Sequence, residues 1–258
     1  MSYVVMLDAG HGGWDPGASY YGRQEKNDNL NLALAVGNIL EQKGIPVIYT
    51  RTSDVYQTPF EKAEMANRSD ADFFVSFHRN AMPVPGTASG IESLVYENTG
   101  AAAVLARNIN EELKGAGFAD LGVIERPGLV VLKRTRTPAV LVEAGFIDNE
   151  ADNRLFDQNF TAIAQAIADG IQKALEEEEA MKPEYYQIQT GAYRNQELAT
   201  QQLTQLKSQG FPAFLVYEDG LYKVRVGAFL NLDHAVAMEK KLREYGYSTV
   251  MVKKAAVL

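Results

Sequence analysis

The last third of the chain repeats itself, and a repeat restricts a fold more tightly than any single residue can. Tyr186-Gln-Ile-Gln-Thr-Gly191-Ala-Tyr193 aligns at an offset of 36 residues with Tyr222-Lys-Val-Arg-Val-Gly227-Ala-Phe229, followed by Asn195/Asn231, Ala199/Ala235, Leu206/Leu242, Gly210/Gly246 and Phe211/Tyr247. Each copy reads as an alternating strand, a helix closed by glycine (Gln196–Gln209, Leu232–Tyr245) and a second strand (Phe214–Tyr217, Ser248–Lys253). Glu218-Asp219-Gly220 joins the copies with a hairpin signal. The order β-α-β-β-α-β predicts a small α+β unit of the split βαβ, ferredoxin-like plan, with two helices on one face of a four-stranded antiparallel sheet. The other face is left open. Alternate strand residues share a face, so Gln187, Gln189, Lys223 and Arg225, interleaved with Tyr193 and Phe229, are the candidates for ligand contact there, although most aromatics in the unit belong to its core.

Composition shifts once, at Glu176-Glu177-Glu178-Glu179-Ala180-Met181-Lys182-Pro183, where four like charges end a helical pattern and proline forbids its continuation. Residues 178–184 are expected to be an acidic linker between a first domain, 1–177, and a second, 185–258. Through Glu184 the chain has 16 basic and 27 acidic residues, net −11; beyond it 9 basic and 6 acidic give +3. The total of −8 and a sequence pI near 5.0 argue against a nucleic-acid partner held by bulk charge. No run approaches the ~18–20 apolar residues of a membrane span, so membrane insertion is not expected. Met1-Ser2-Tyr3-Val4-Val5-Met6-Leu7-Asp8 has no basic n-region and only a short apolar run, which predicts cytoplasmic synthesis without a signal peptide.

The first ~180 residues alternate strand and helix patterns, which predicts an α/β fold with a twisted, mostly parallel sheet flanked by helices on both faces. In such sheets function lies beyond the carboxyl ends of strands. Three apolar runs end in residues suited to it: His11 after Val4–Gly10, His78 after Phe73–Phe77, and Glu143 after Ala139–Val142. A single histidine at a strand end ordinarily satisfies a loop hydrogen bond; two of the three in the chain, with a glutamate, at equivalent ends form a more pointed pattern. The glycines around His11 suggest a phosphate loop, but Asp15 stands where a dinucleotide motif needs glycine, and no Lys-Ser/Thr pair follows. No G-x-S-x-G elbow and no H-E-x-x-H helix is present. Because the chain has no cysteine, a metal must be held by histidine and carboxylate. Zinc takes such a His₂Glu set with one position left open. Glu25, at the start of the first helix, can complete it, or can simply be a helix-start carboxylate favoured by the macrodipole.

These residues also fall in a recognisable series: Leu7-Asp8-Ala9-Gly10-His11-Gly12-Gly13-x-Asp15-Pro16-Gly17-Ala18, Gln24-Glu25-Lys26, Thr50-Arg51-Thr52-Ser53-Asp54, Ser76-Phe77-His78-Arg79-Asn80-Ala81, Leu129-Val130-Val131-Leu132 and Pro138 through Asn149. The series resembles the zinc-dependent N-acetylmuramoyl-L-alanine amidases of the Amidase_3 type, and the repeat resembles a SPOR domain. The two-domain order is similar to CwlC-type cell-wall hydrolases of spore-forming Bacillus relatives.

The resemblance implies zinc held by His11, Glu25 and His78, with Glu143 as catalytic acid/base in hydrolysis of the amide between N-acetylmuramic acid and L-alanine. The implied partner is peptidoglycan, its glycan strands held by the repeat unit and its stem peptide by the first domain. Asn80 and Arg79, in the loop after His78, are candidates for hydrogen bonds to sugar or peptide carboxylate. Asp8 and Asp15 lie near enough to hold a ligand imidazole's second nitrogen, although a turn role is the plainer reading. Arg79 stands where many relatives carry a small or β-branched residue. No acidic helix is inserted between His78 and Glu143, which implies an open site. His234 is expected to be a partly buried packing residue. Rival readings are a zinc peptidase cutting within the stem peptide and an inactive wall-binding protein. Without a signal peptide, release would come from a lysing mother cell late in sporulation or through a phage-type pore.

Overall fold

The computed structural model describes residues 3–255. Packing divides the chain into two compact units, Met1–Glu178 and Glu179–Leu258. The first runs β1 (Val5–Ala9), β2 (Ser19–Tyr20), β3 (Arg23–Gln24), α1 (Glu25–Gln42), β4 (Val47–Tyr49), α2 (Pro59–Arg68), β5 (Phe73–Asn80), β6 (Ile91–Val95), α3 (Gly100–Gly115), β7 (Asp120–Glu125), α4 (Val130–Arg134), β8 (Ala139–Phe146), α5 (Glu150–Gln158) and α6 (Phe160–Met181). Its sheet has the order β4-β1-β5-β8-β6-β7. Strands β4, β1, β5 and β8 are parallel, while β6 pairs antiparallel with β8 and carries β7 parallel to itself. The mostly parallel α/β expectation is met. The hairpin β2–β3 and the elements β7, α4 and α5 are additions to it.

Alternation along three strands sorts the side chains. Val5, Leu7 and Ala9 of β1, Phe73, Val75 and Phe77 of β5, and Val140, Val142 and Ala144 of β8 join α1, α3 and α6 in the larger core. Met6, Phe74 and Leu141 face the other way, against short α2 and α4. Full burial of each such side chain contributes about 1.5–3 kcal/mol. The thinner face also receives Asp8, Ser76, His78 and Glu143, because they share the parity of Met6, Phe74 and Leu141. Helix α2 begins with a capping box: Glu61 N–H donates to Thr58 Oγ1 at 3.1 Å and Thr58 N–H to Glu61 Oε2 at 2.7 Å.

Helix α6 does not stop at the four glutamates. It continues to Met181, since glutamate, alanine and methionine are good helix formers and only Pro183 removes a donor.

The second unit comprises β9 (Glu184–Tyr193), α7 (Gln196–Ser208), β10 (Ala213–Glu218), β11 (Leu221–Phe229), α8 (Leu232–Glu244) and β12 (Val250–Ala255), in a fully antiparallel sheet of order β10-β11-β9-β12. Asn195 and Asn231, equivalent in the repeat, cap α7 and α8 with their side-chain oxygens. Ile188, Val224 and Val226 pack beneath both helices.

Candidate metal centre

His11, Glu25 and His78 each offer a ligand atom, and these atoms lie within 4.8 Å of one another. Glu25 is at the centre. Its Oε2 is 3.1 Å from His11 Nε2 and accepts the Ala18 N–H at 2.8 Å. Its Oε1 is 2.9 Å from His78 Nδ1 and accepts from Arg79 N–H at 3.1 Å and Asn29 Nδ2 at 3.2 Å. Asp15 Oδ2 meets His11 Nδ1 at 2.8 Å and so fixes that ring's orientation. Of the two aspartates considered from sequence, Asp15 therefore holds an imidazole. Asp8 does not: it is buried behind the site, taking Thr50 Oγ1 at 2.7 Å, Ser76 Oγ at 2.6 Å and Lys62 Nζ at 2.7 Å.

The loop that presents His11 is held from behind. Lys62 Nζ donates to Ala9 O at 2.6 Å, Arg51 Nε to the same carbonyl at 3.0 Å, and Arg51 Nη2 to Gly10 O at 3.0 Å. His11 itself sits at φ 60°, a left-handed conformation that costs a non-glycine residue of order 1–3 kcal/mol. Two nearby glycines are steric necessities. A Cβ on Gly10 would lie 2.4 Å from His78 Nε2, and one on Gly17, at φ +66°, would lie 2.5 Å from Glu25 Oε2 and 2.6 Å from His11 Cδ2. Lys62, Arg51 and Asn29 received no role from the sequence. The legible signal was Asn29, which interrupts the buried stripe Leu32, Val36, Leu40 of α1 one turn after Glu25.

Electrostatics couples these groups. Burial alone would lower His11, but hydrogen bonds and charge from Glu25 and Asp15 outweigh it and raise the imidazole to about 9. Burial would raise Glu25, and the two imidazoles overturn that, holding its carboxyl far below the ordinary range. Glu143 lies beside His78 in register on β8, with Glu92 of β6 opposite it on the other side. Desolvation raises its carboxyl to about 7, and its Oε2 is buried without a hydrogen-bond partner. A cleft of about 280 Å³ adjoins the centre, lined by His11, Asp15, His78, Gln57, Leu129 and Leu141. The His11 and His78 side chains remain 26% and 18% exposed.

The structure corrects several sequence-based expectations. Arg79 is 2% exposed and cannot reach a substrate, because it follows His78 on β5 and so points to the opposite face. There it meets Asp28 at 2.8 Å and Asn153 at 2.8 Å, with the Phe156 ring 4.2 Å from the guanidinium carbon. Asn80 is partly buried, and its Nδ2 donates to Glu92 Oε1 at 2.8 Å. In the second unit, Gln187, Gln189, Lys223 and Arg225 do share the open face. Tyr193 and Phe229 do not, since register shifts between Val224 and Arg225 and between Val226 and Phe229 turn both rings towards the helices. Arg225 is only 3% exposed, drawn down onto Glu218 and Gln187. His234 is exposed rather than packed.

Comparison with known proteins places these observations. The model of the N-acetylmuramoyl-L-alanine amidase family Amidase_3 matches residues 5–173. The chain belongs to this amidase family. A SPOR domain model matches residues 182–254. The chain is 33% identical over 221 residues to the sporulation-specific N-acetylmuramoyl-L-alanine amidase of Bacillus subtilis, covering 83% of this chain and 85% of that one. It is 38% identical over 185 residues to an endolysin of Bacillus phage SPP1, covering 68% and 67%. Among solved structures, an N-acetylmuramoyl-L-alanine amidase from Clostridium difficile 630 superimposes with a TM-score of 0.64 at 32% identity, covering 68% of this chain and 97% of that one. The catalytic domain of CwlV from Bacillus (Paenibacillus) polymyxa gives 0.63 at 33%, covering 67% and 98%.

Proposed function

We propose that the chain hydrolyses the amide joining N-acetylmuramic acid to the L-alanine of the peptidoglycan stem peptide, with zinc held by His11, Glu25 and His78. The observation that carries this reading is a cluster of three metal donors beside a desolvated carboxyl, Glu143, whose Oε2 has no partner. Two imidazoles and one carboxylate suit zinc and leave a coordination position open. A zinc ion held there supplies Lewis acidity towards a carbonyl oxygen and towards water. Asp15 keeps Nε2 of His11 directed at the site. Glu143, poised near neutrality, takes a proton from the attacking water as its oxygen adds to the muramoyl carbonyl carbon, then returns a proton to the alanine nitrogen as the C–N bond breaks.

The two matched families support a division of labour in which the first unit cuts and the second holds glycan strands through the open sheet face with Gln187, Gln189 and Lys223. Among the described residues no helix is long and apolar enough to cross a membrane. The relatives include both a sporulation enzyme and a phage endolysin, which supports restraint by delayed access to the wall. The deciding experiment is digestion of purified wall. New N-terminal alanine without new reducing ends is expected, stopping with a chelator and returning with zinc. Termini at another residue would mean a peptidase, and turnover untouched by chelation would remove the metal.

A further inference from the structure

The chain has a single tryptophan, and it lies outside every core: Trp14 is 76% exposed. It stands at the tip of a tight hairpin after β1, closed by Gly12 N–H to Asp15 O at 3.0 Å and Asp15 N–H to Gly12 O at 3.1 Å. The Tyr56 ring meets it, with centroids 4.3 Å apart and planes tilted by 37°. Tyr56 belongs to the loop between β4 and α2, so two loops from the carboxyl ends of neighbouring parallel strands come together here. Their meeting is fixed by polar bonds. Gly13 N–H donates to Asp54 Oδ1 at 2.7 Å, while Lys26 Nζ bonds Gly13 O at 2.8 Å and Asp54 Oδ2 at 2.6 Å. A Cβ on Gly12 would lie 2.2 Å from Val55 O, and one on Gly13 would lie 2.7 Å from Tyr56 N. A lone exposed apolar residue is ordinary on a protein surface. A ring pair locked in the open, one residue from the aspartate that holds His11, is a preformed surface beside the metal centre.

The order of the strands decides which part of a substrate meets that surface. Across the sheet, β4, β1, β5, β8 and β6 carry, on themselves or on the loops that follow, Tyr56, Trp14 with His11, His78, Glu143 and Glu92 in turn. In the proposed hydrolysis Glu143 returns its proton to the alanine nitrogen, so that nitrogen and the peptide beyond it lie towards β8 and β6. The muramoyl carbonyl carbon is bonded to this nitrogen on one side and to the lactyl arm of the sugar on the other. The sugar therefore extends the opposite way, over β5 and β1, towards Trp14 and Tyr56. A pyranose presents C–H groups on its faces and hydroxyls around its edge. It can cover an aromatic ring while its hydroxyls stay in water, which suits an open platform better than an enclosed pocket.

We propose that Trp14 and Tyr56 form a sugar subsite of the metal centre, the indole stacking on a pyranose ring of the glycan strand on the acyl side of the scissile amide. Tyr56 backs the indole and fixes its tilt. The direction of the argument rests on the amidase reading. The subsite gives the first unit a glycan contact of its own, apart from the sheet face of the second, and makes sugar at the cut bond a determinant of specificity. A stem peptide that carries the lactyl group without its sugar is then a poorer substrate than the muramoyl peptide.

Because Trp14 is the only tryptophan, its fluorescence reports this subsite alone even in the full chain. Peptide-free fragments of alternating N-acetylglucosamine and N-acetylmuramic acid should shift its emission to the blue, saturably, in metal-free as in zinc-loaded protein; a free alanyl peptide should leave it unmoved. Tyr56→Leu should weaken that response several-fold. Kinetics on two substrates then test the contact during turnover: a muramoyl-L-alanyl peptide and the matching O-lactyl-L-alanyl peptide without the sugar. The loss of kcat/KM in Trp14→Ala should be about tenfold greater on the first than on the second, mainly through KM, and Trp14→Phe should recover most of it. Equal losses on the two substrates, emission that answers to the peptide, or emission that answers to neither probe overturns the subsite. Failure of the unaltered chain to release alanine from either substrate would count against the amidase reading instead, and the fluorescence would still decide whether glycan covers Trp14.

Discussion

The metal centre and the open face of the second sheet are both polar surfaces borne on strands, yet they are organised in opposite senses. At the centre, groups from β1, α1, β5 and β8 leave different strands and loops and turn towards a single point, with Glu25 bonded on both oxygens. On the open face, side chains stand in a row, and the cations gather at the hairpin acids: Glu218 takes Arg225 and Lys254, and Lys223 reaches Asp219 at 2.5 Å and Glu218 at 3.5 Å. Convergence past strand ends suits a point charge and a single scissile bond. A row along strands suits an extended chain that is held rather than cut.

The contrast is broken most severely at Glu143. Glu143→Gln should lower turnover by about 10²–10⁴-fold with zinc retained, as measured by hydrolysis and elemental analysis. Loss of metal there would exchange its role with that of Glu25. Next comes Gly17→Ala, which puts a Cβ at φ +66° against two ligand side chains. It should empty the site while circular dichroism remains native, and full zinc occupancy would show that the loop does not constrain the donors. A smaller effect concerns protons. With His11 raised to about 9, the metal-free site is protonated at neutral pH, and zinc must displace that proton. Zinc affinity should fall as pH drops below about 9, by up to about tenfold per unit. Calorimetry in buffers of different ionisation enthalpy should register proton release; identical heats would refute a protonated His11.

The open face should respond least. The hydrogen bond from Arg225, then those from Lys254 and the nearby charges, hold Glu218 down to about 2 against some desolvation. Its folded pKa is lowered, so its stabilisation is complete above the unfolded value and fades as pH falls towards 2. For a side chain 28% exposed this contributes under about 1 kcal/mol, which Glu218→Gln would remove from the neutral-pH denaturation midpoint. A larger loss would mean that the row is more tightly coupled than its exposure suggests.

Much of this was readable before the structure. His11, His78 and Glu143 each terminate an apolar run, and a strand that is buried along its length can present a polar side chain at its carboxyl end without burying it unpaired. Arg79 was misplaced although its signal was present: two neighbours on one strand cannot face the same site. Tyr193 and Phe229 were not readable in this way. Counting by twos from Gln187 and Arg225 puts both on the open face, and only the shifted register reverses the count. The contacts of Lys62 and Arg51 with the Ala9 carbonyl join segments distant in sequence, and no local pattern announces such a meeting.

In the order β10-β11-β9-β12, the first copy of the repeat contributes β9 and β10, but these are not neighbours, because β11 from the second copy lies between them. A lone copy would thus be two strands with a vacant slot, completed only by an identical chain inserting a strand. In the present chain the two copies stand or fall together: mechanical extraction of either should unravel both in a single step.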